Sequence, residues 1–129
     1  MRSIALLLAL FTFSCAPASG SERTVVLNIE HSSFGRDHLT FHKGEMVRFV
    51  LRNGDPIDHE LIIGDAAVQQ LHESGTETHH DARPGEVSVA AGATAETTYT
   101  FSEPGTLLFG CHLPRHYRYG MRGTIRVDG

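Results

Sequence analysis

The sequence predicts an all-β fold, a single antiparallel β-sandwich with one partly helical excursion at about residues 65–84. Short runs rich in Val, Ile, Thr and Phe recur along the chain, and Gly, Pro, Asn and Asp residues separate them. Such punctuation is typical of a sandwich of short strands. The excursion is predicted because residues 65–84 lack the two-residue alternation of a half-buried strand.

Four strands are predicted before the excursion. The first is rich in β-branched residues, and the second alternates apolar and polar side chains up to a turn at Gly44. The third ends in the turn-forming segment 53–56, and Gly64 closes the fourth. These strands are predicted at 24–30, 38–42, 46–51 and 60–63.

The excursion begins with a helix signal. Asp65 precedes a run of good helix formers and suits an N-cap, which predicts about two helical turns over residues 65–72. The remainder, 73–84, is polar and contains Gly75, so we expect an irregular connection on the surface.

Four more strands are predicted after the excursion. Residues 94–101 show the clearest alternation, and turns at Gly92 and 103–105 separate the neighbouring runs. These strands are predicted at 86–89, 94–101, 106–109 and 123–127.

The N-terminal residues have the features of a targeting segment. Arg2 gives a minimal positive start, and residues 4–13 form an apolar run of signal-peptide length that is too short to span a bilayer. We therefore expect a signal peptide over 1–18, a polar linker over 19–23 and one folded domain over 24–129.

Two cleavage sites fit this segment. Ala16-Pro17-Ala18 matches a small-x-small cleavage site, whereas residues 12–15 loosely resemble a bacterial lipobox, in which Cys15 becomes the lipidated N-terminus. Both predict an extracytoplasmic protein that is secreted, periplasmic or lipid-anchored at the outer face of a bacterial membrane. Contact with a membrane is expected only through such an anchor at Cys15.

Charge and cysteine content narrow the function classes. The formal net charge of the chain is -4, and loss of Arg2 with the leader makes it -5. An acidic domain of this kind is not expected to bind nucleic acid. Cys111 is the one thiol of the folded domain, so an intrachain disulfide is excluded. An unpaired cysteine in an exported protein is expected to be a ligand or a nucleophile.

The segment 109–121 carries the donors of a metal site. Cys111, His116 and Met121 are separated by four residues each, and His59 lies far upstream on another predicted strand. Two imidazoles and a thiolate with a weak axial thioether form the blue-copper donor set, and soft sulfur donors favour copper over Mg²⁺, Ca²⁺ or Mn²⁺. Pro114 and Gly120 favour a compact loop that folds back over the cysteine.

These four residues, together with the strand 123–127, resemble the cupredoxins, the plastocyanin/azurin type of blue copper protein. The resemblance covers essentially the whole mature domain. It implies a Greek-key β-sandwich that binds one copper ion, with His59 and His116 as imidazole ligands, Cys111 as the equatorial thiolate and Met121 as the axial thioether.

The ligand loop is also similar to the last domain of multicopper oxidases, because His112 follows Cys111 and Gly120 precedes Met121. Gly110 stands where those proteins have a His, and the sequence contains no His-x-His pair. We expect His112 to lie at the surface near the site. Glu60 follows the first ligand where small blue copper proteins often have Asn or another small polar residue, which puts the usual brace of the ligand loop in doubt.

Two further groups carry weaker signals. His72, His79 and His80 could form a second copper or zinc site, although we expect them to decorate a solvated loop. Arg115, Arg118, Arg122 and Arg126 form a basic cluster, and the segment 115–126 contains no acidic residue. This suits either docking of an acidic redox partner at Arg115, Arg118 and Arg122 or ordinary solubility.

Three functions are consistent with these observations. The first is an exported mononuclear type 1 (blue) copper protein that carries single electrons between redox partners and is not an enzyme. The second is an extracytoplasmic copper-handling protein, for storage, delivery or resistance. The third is a small oligomeric copper oxidase or reductase, which the missing His-x-His pairs disfavour.

Overall fold

The computed structural model describes residues 22–75 and 79–129. The expected signal peptide, the expected anchor at Cys15 and residues 19–21 of the expected linker lie outside the described residues. The first strand begins at Arg23, so the last residue of the expected linker already belongs to a sheet. No helix in the described ranges is long and apolar enough to cross a membrane.

The described chain contains all eight predicted strands and one helix. The predicted bounds differ from the observed ones by two residues at most. The elements are β1 (Arg23–Ile29), β2 (His38–His42), β3 (Met46–Asn53), β4 (His59–Gly64), α1 (Ala66–Ser74), β5 (Glu86–Val89), β6 (Thr94–Thr100), β7 (Gly105–Gly110) and β8 (Arg122–Asp128).

The strands form two sheets, which confirms the predicted sandwich. One sheet has the order β1-β3-β6, and the other has the order β2-β8-β7-β4-β5. The expectation of a purely antiparallel sandwich is wrong, since β1 is parallel to β3 and β2 is parallel to β8. The chain changes sheets between β1 and β2, so no hairpin fixes the direction of these strands.

An apolar core fills the space between the sheets. Its centre contains Phe41, Phe49 and Phe101, and the rings of Phe41 and Phe101 stack with their centroids 4.5 Å apart. Alternation along the strands aims one set of side chains at this core, as period-2 patterning requires. Burial of this aromatic surface gives the rigid frame on which the functional residues lie.

The predicted helical excursion is confirmed, and α1 packs on the outer face of the larger sheet. The Asp65 carboxylate caps α1 by accepting the Val68 N–H at 2.9 Å. Gln69 is buried and donates to the carbonyls of Ile62 and Leu108. All six residues of β4 are buried because the core covers one face of this strand and α1 lies over the other.

Candidate metal centre

Three metal-donor side chains meet at one end of the larger sheet. His59 is the first residue of β4, and Cys111 directly follows β7, which pairs with β4. The Cys111 Sγ lies 4.0 Å from His59 Nδ1 and 3.2 Å from His116 Nδ1. All three donor atoms lie within 4.8 Å of one another. The fold therefore brings His59 next to Cys111 and His116, although His59 lies more than fifty residues before them in the sequence.

Backbone hydrogen bonds close the loop from Cys111 to Met121. The Cys111 N–H donates to the Met121 carbonyl at 3.0 Å, and the Met121 N–H donates to the His116 carbonyl at 3.0 Å. Arg115 takes a left-handed conformation with φ 75°, and Gly120 takes φ 104°. These turns bring the buried Met121 back beside Cys111 in the chain path, as the sequence predicts for this loop.

Asp55 orients the first imidazole. Its Oδ2 lies 2.9 Å from His59 Nε2 and accepts a hydrogen bond from the N–H at that position. The lone pair of His59 is then on Nδ1, which faces the cysteine. The Asp55 carboxylate also accepts the N–H groups of His31 and Ser32, both at 2.7 Å. These bonds, led by the one from Ser32, lower the pKa of Asp55, so the carboxylate is ionised at neutral pH.

The cysteine is fully buried. Burial raises the pKa of the Cys111 thiol to about 12, while the backbone N–H groups of Leu113 and Glu60 favour the thiolate. The pKa of His116 is lowered, mainly by burial and to a smaller extent by electrostatic repulsion from His59. This imidazole is therefore neutral near pH 7 and can donate a lone pair. With its pKa raised in this way, the buried thiol ionises when a bound cation displaces its proton, and two imidazoles already face the sulfur.

This donor set fits copper. The Cys111 sulfur and two imidazoles converge, and a buried thioether residue closes the same loop. One thiolate, two imidazoles and a thioether are the combination that selects copper over harder cations. The two imidazoles reach the sulfur from different elements of a packed sandwich, so their separation is fixed by the fold before a metal arrives.

Glu60 supplies a brace that the sequence put in doubt. Its side chain is only 2% exposed, and its Oε1 accepts the N–H of His112 at 2.8 Å. Because His112 directly follows Cys111, this bond ties β4 to the start of the ligand loop. A carboxylate therefore holds the loop at the position where small blue copper proteins often have Asn or another small polar residue.

The expected surface position of His112 is wrong. Its side chain is 2% exposed, with Nε2 2.7 Å from Gln69 Oε1 and Nδ1 3.0 Å from Glu73 Oε2. Its ring stacks on Tyr117 with the centroids 4.4 Å apart. The ring does point away from Cys111, as strand alternation predicts, but α1 covers the face to which it points.

The three histidines of the excursion do not share one environment. His79 is exposed and lies near Asp81, as a solvated loop predicts. The solvated-loop expectation is wrong for His80, whose side chain is 1% exposed, and for His72, whose side chain is 12% exposed. The Ser88 N–H donates to the His80 carbonyl at 3.0 Å, which ties this part of the loop to β5.

The basic residues of the ligand loop remain at the surface. Arg115, Arg118 and Arg122 are exposed, and the Arg122 guanidinium lies 5.2 Å from the centroid of the Tyr117 ring. Tyr119, between them in sequence, is 78% exposed. Arg126 instead pairs with Asp128 on β8.

Sequence reasoning missed Asp55 and the role of Glu60. Asp55 reads as a turn residue in the segment 53–56, and nothing in the sequence shows that it reaches the far side of His59. Glu60 offered one signal, an acidic residue at a position of a strand that is otherwise apolar.

The fold and donor set define a class of protein. The profile of the copper binding proteins, plastocyanin/azurin family, matches residues 21–128. The chain therefore belongs to this family and is a copper-binding protein of cupredoxin fold.

Named relatives agree with this family. The chain is 37% identical over 114 residues to the copper-resistant cuproprotein CopI of Rubrivivax gelatinosus, covering 85% of this chain and 69% of the relative. It is 30% identical over 121 residues to the CopI of Vibrio cholerae, and this match covers 86% of this chain and 70% of the relative.

Solved structures show the same fold. Auracyanin B superposes with a TM-score of 0.70 at 20% identity, covering 88% of this chain and 94% of that one. The multicopper oxidase mgLAC superposes with a TM-score of 0.62 at 18% identity, and the match covers 84% of this chain but 39% of the oxidase.

Proposed function

We propose that this chain is an exported mononuclear type 1 (blue) copper protein that carries single electrons between redox partners. The main observation behind this proposal is that the donor atoms of His59, Cys111 and His116 already lie close together inside a packed fold. Bound copper supplies the one-electron Cu(I)/Cu(II) couple. His59, Cys111, His116 and Met121 are the proposed ligands.

The residues around the donors support a site that changes little between oxidation states. Asp55 fixes the ring of His59, Glu60 fixes the backbone after Cys111, and the loop closes on itself at Met121. A site held in this way resists rearrangement when its charge changes, which favours electron transfer over chemistry that needs an open coordination position.

A second candidate function is copper handling in copper resistance. The observation that favours it is the name of the two relatives, each a copper-resistant cuproprotein. In that function copper is cargo that must be released, whereas in the first it is a resident cofactor. We propose an extracytoplasmic location for either function.

The proposed partner is a redox protein with an acidic docking surface. Exposed Arg115 and Arg118 lie within the ligand loop and exposed Arg122 directly follows it, and exposed Tyr119 adds an aromatic contact. Charge complementarity of this kind mainly raises the encounter rate, so its contribution falls as salt increases.

One experiment separates the two candidates. The mature protein is loaded with one equivalent of Cu(II), and we expect an intense visible thiolate-to-copper band that Cys111→Ser abolishes. The loaded protein is then mixed with a chelator of higher affinity, and separately with a one-electron reductant. If the protein is an electron carrier, the reductant should convert its Cu(II) to Cu(I) rapidly, and the copper should stay bound in the presence of the chelator. Rapid loss of copper to the chelator, in either oxidation state, would contradict the first function and favour the second.

A further inference from the structure

A second group of metal-donor side chains lies beneath α1, on the face of the larger sheet away from Cys111. His72 comes from α1, His80 from the loop after it and Glu86 from the start of β5. Their donor atoms all lie within 4.8 Å of one another. We propose that these three residues bind a divalent transition-metal ion of the Zn²⁺ or Cu²⁺ class, at a site separate from the Cys111 centre.

The hydrogen bond of His72 prepares it as a ligand. Its Nδ1 lies 2.9 Å from the carbonyl oxygen of Val68, which can only accept, so this nitrogen carries the proton. The lone pair therefore sits on Nε2, which lies 3.6 Å from Glu86 Oε1. A ligand histidine whose other nitrogen donates to a backbone carbonyl is the usual arrangement at metal sites.

The contacts of His80 favour the opposite tautomer, with the lone pair on Nδ1. Arg83 Nη2 lies 3.3 Å from His80 Nδ1, and a guanidinium can only donate, so Nδ1 accepts in this contact. The same nitrogen lies 3.6 Å from Glu86 Oε2, which places it beside the second donor of the group. The other nitrogen, Nε2, lies 3.4 Å from Oε2 of the buried Glu60. Within residues 22–75 and 79–129, no hydrogen-bond partner reaches the buried Glu60 Oε2, and a small rotation of the His80 ring would give it one.

The group therefore has the electrostatics of a cation site. Two imidazole lone pairs and the carboxylate of Glu86 converge, and a second carboxylate, Glu60, stands behind His80. Converging acceptors in a mostly buried space are unfavourable unless a positive charge lies among them. Arg83 supplies that charge in this structure, with its Nε 3.2 Å from Glu86 Oε2.

Arg83 is placed to give way to a metal ion. Its side chain is 51% exposed, so the guanidinium can move into solvent without leaving a buried charge behind. Two imidazoles and one carboxylate are the donors of many three-ligand zinc sites, and imidazole also suits Cu²⁺. None of the three donors is sulfur, which distinguishes this site chemically from the Cys111 centre. The proposal does not depend on electron transfer by that centre.

The test uses the mature protein with its Cys111 centre already loaded with copper. Zn²⁺ is titrated by calorimetry, while the visible band reports whether copper stays in place. We expect one Zn²⁺ per chain with an unchanged band. Glu86→Gln keeps the size of the side chain but removes its charge. We expect Zn²⁺ affinity to fall at least about tenfold, because loss of a group that supports a metal site costs affinity on this scale. Arg83→Gln should raise the affinity, because it removes the competing cation.

His79→Ala is the matched control, because this exposed histidine lies beside His80 in sequence but outside the group. Thermal melts without zinc establish that each variant folds, and if His80→Gln does not, Glu86→Gln and His72→Ala decide the matter. A zinc-dependent rise in melting temperature that Glu86→Gln loses and His79→Ala keeps would support the site. Absence of zinc binding, displacement of copper by zinc, or equal loss in His79→Ala would overturn the proposal and leave a purely structural network.

Discussion

Replacement of Asp55 tests how the first copper ligand is held. Asp55→Ala removes three hydrogen bonds at once, from His59 Nε2 and from the N–H groups of His31 and Ser32. Both backbone donors belong to left-handed residues, with φ 54° at His31 and φ 55° at Ser32. The carboxylate therefore stabilises a strained turn and the metal site together.

The expected cost follows from these bonds. A hydrogen bond to a charged group contributes about 1.5–3 kcal/mol. The Asp55 side chain is 12% exposed, so water can replace part of what is lost. We therefore expect a loss of roughly 3 kcal/mol in the free energy of unfolding, equivalent to about 10–20 °C in melting temperature for a domain of this size. Copper affinity should fall about 10–100-fold, because the ring of His59 loses its orientation.

The pH dependence gives a second measurement of the same group. Since the folded-state pKa of Asp55 lies below its usual value of 3.8, its contribution is present above that value and is lost as pH falls through the folded pKa. The difference in unfolding free energy between wild type and Asp55→Ala should therefore be constant from pH 5 to pH 7 and shrink below about pH 4.

Asp58→Ala is the matched control. Asp58 lies in the same connection between β3 and β4, immediately before His59, and its side chain accepts one backbone N–H, from Ala91 on the other side of the connection, rather than the imidazole N–H that Asp55 accepts. Denaturant unfolding and copper competition are measured for both variants at pH 7. Equal effects of the two substitutions on copper affinity would refute the argument that Asp55 orients His59.

Three further predictions concern the same centre. Met121→Leu should keep copper but raise the reduction potential in voltammetry, because loss of the weak axial donor disfavours Cu(II). Apparent copper affinity should rise about tenfold per pH unit between pH 7 and 9, because binding displaces the proton of the Cys111 thiol, whose pKa is about 12. Chelator competition at three pH values measures this slope, and an affinity that does not change with pH contradicts the prediction. Gly110→Ala should lower the free energy of unfolding by about 1–3 kcal/mol, because the added methyl group would overlap the Tyr117 ring; a melting temperature equal to wild type contradicts this.

Much of the fold follows from local patterns. The β-branched runs, the turn residues and the Asp65 cap predict every described strand and α1 with small errors at their ends. These signals are local, and tertiary packing does not override them here. The four proposed copper ligands were also identifiable, because a thiol, an imidazole and a thioether at short spacing form an unusual combination.

The rest depends on which surfaces meet. Parallel pairing of β1 with β3 could not be predicted, because alternation tells which face of a strand is buried but not which strand lies beside it. The burial of His80 and His112 follows from the docking of α1, and no periodicity in either segment reports that contact. Asp55 reaches His59 across a turn, and its partners His31 and Ser32 lie more than twenty residues away in sequence.

Strand β4 links these missed features. Its alternation sends His59 to the metal centre and Leu61 and Ile63 to the core, while Glu60 and Ile62 face α1. A strand with a carboxylate on its outer face needs a cover that satisfies polar groups as well as apolar ones. The helix provides this cover through Gln69, which bonds to Ile62, Leu108 and His112. The excursion between β4 and β5 is therefore part of what holds the copper loop, because the backbone of His112 rests on Glu60 and its ring rests on the helix.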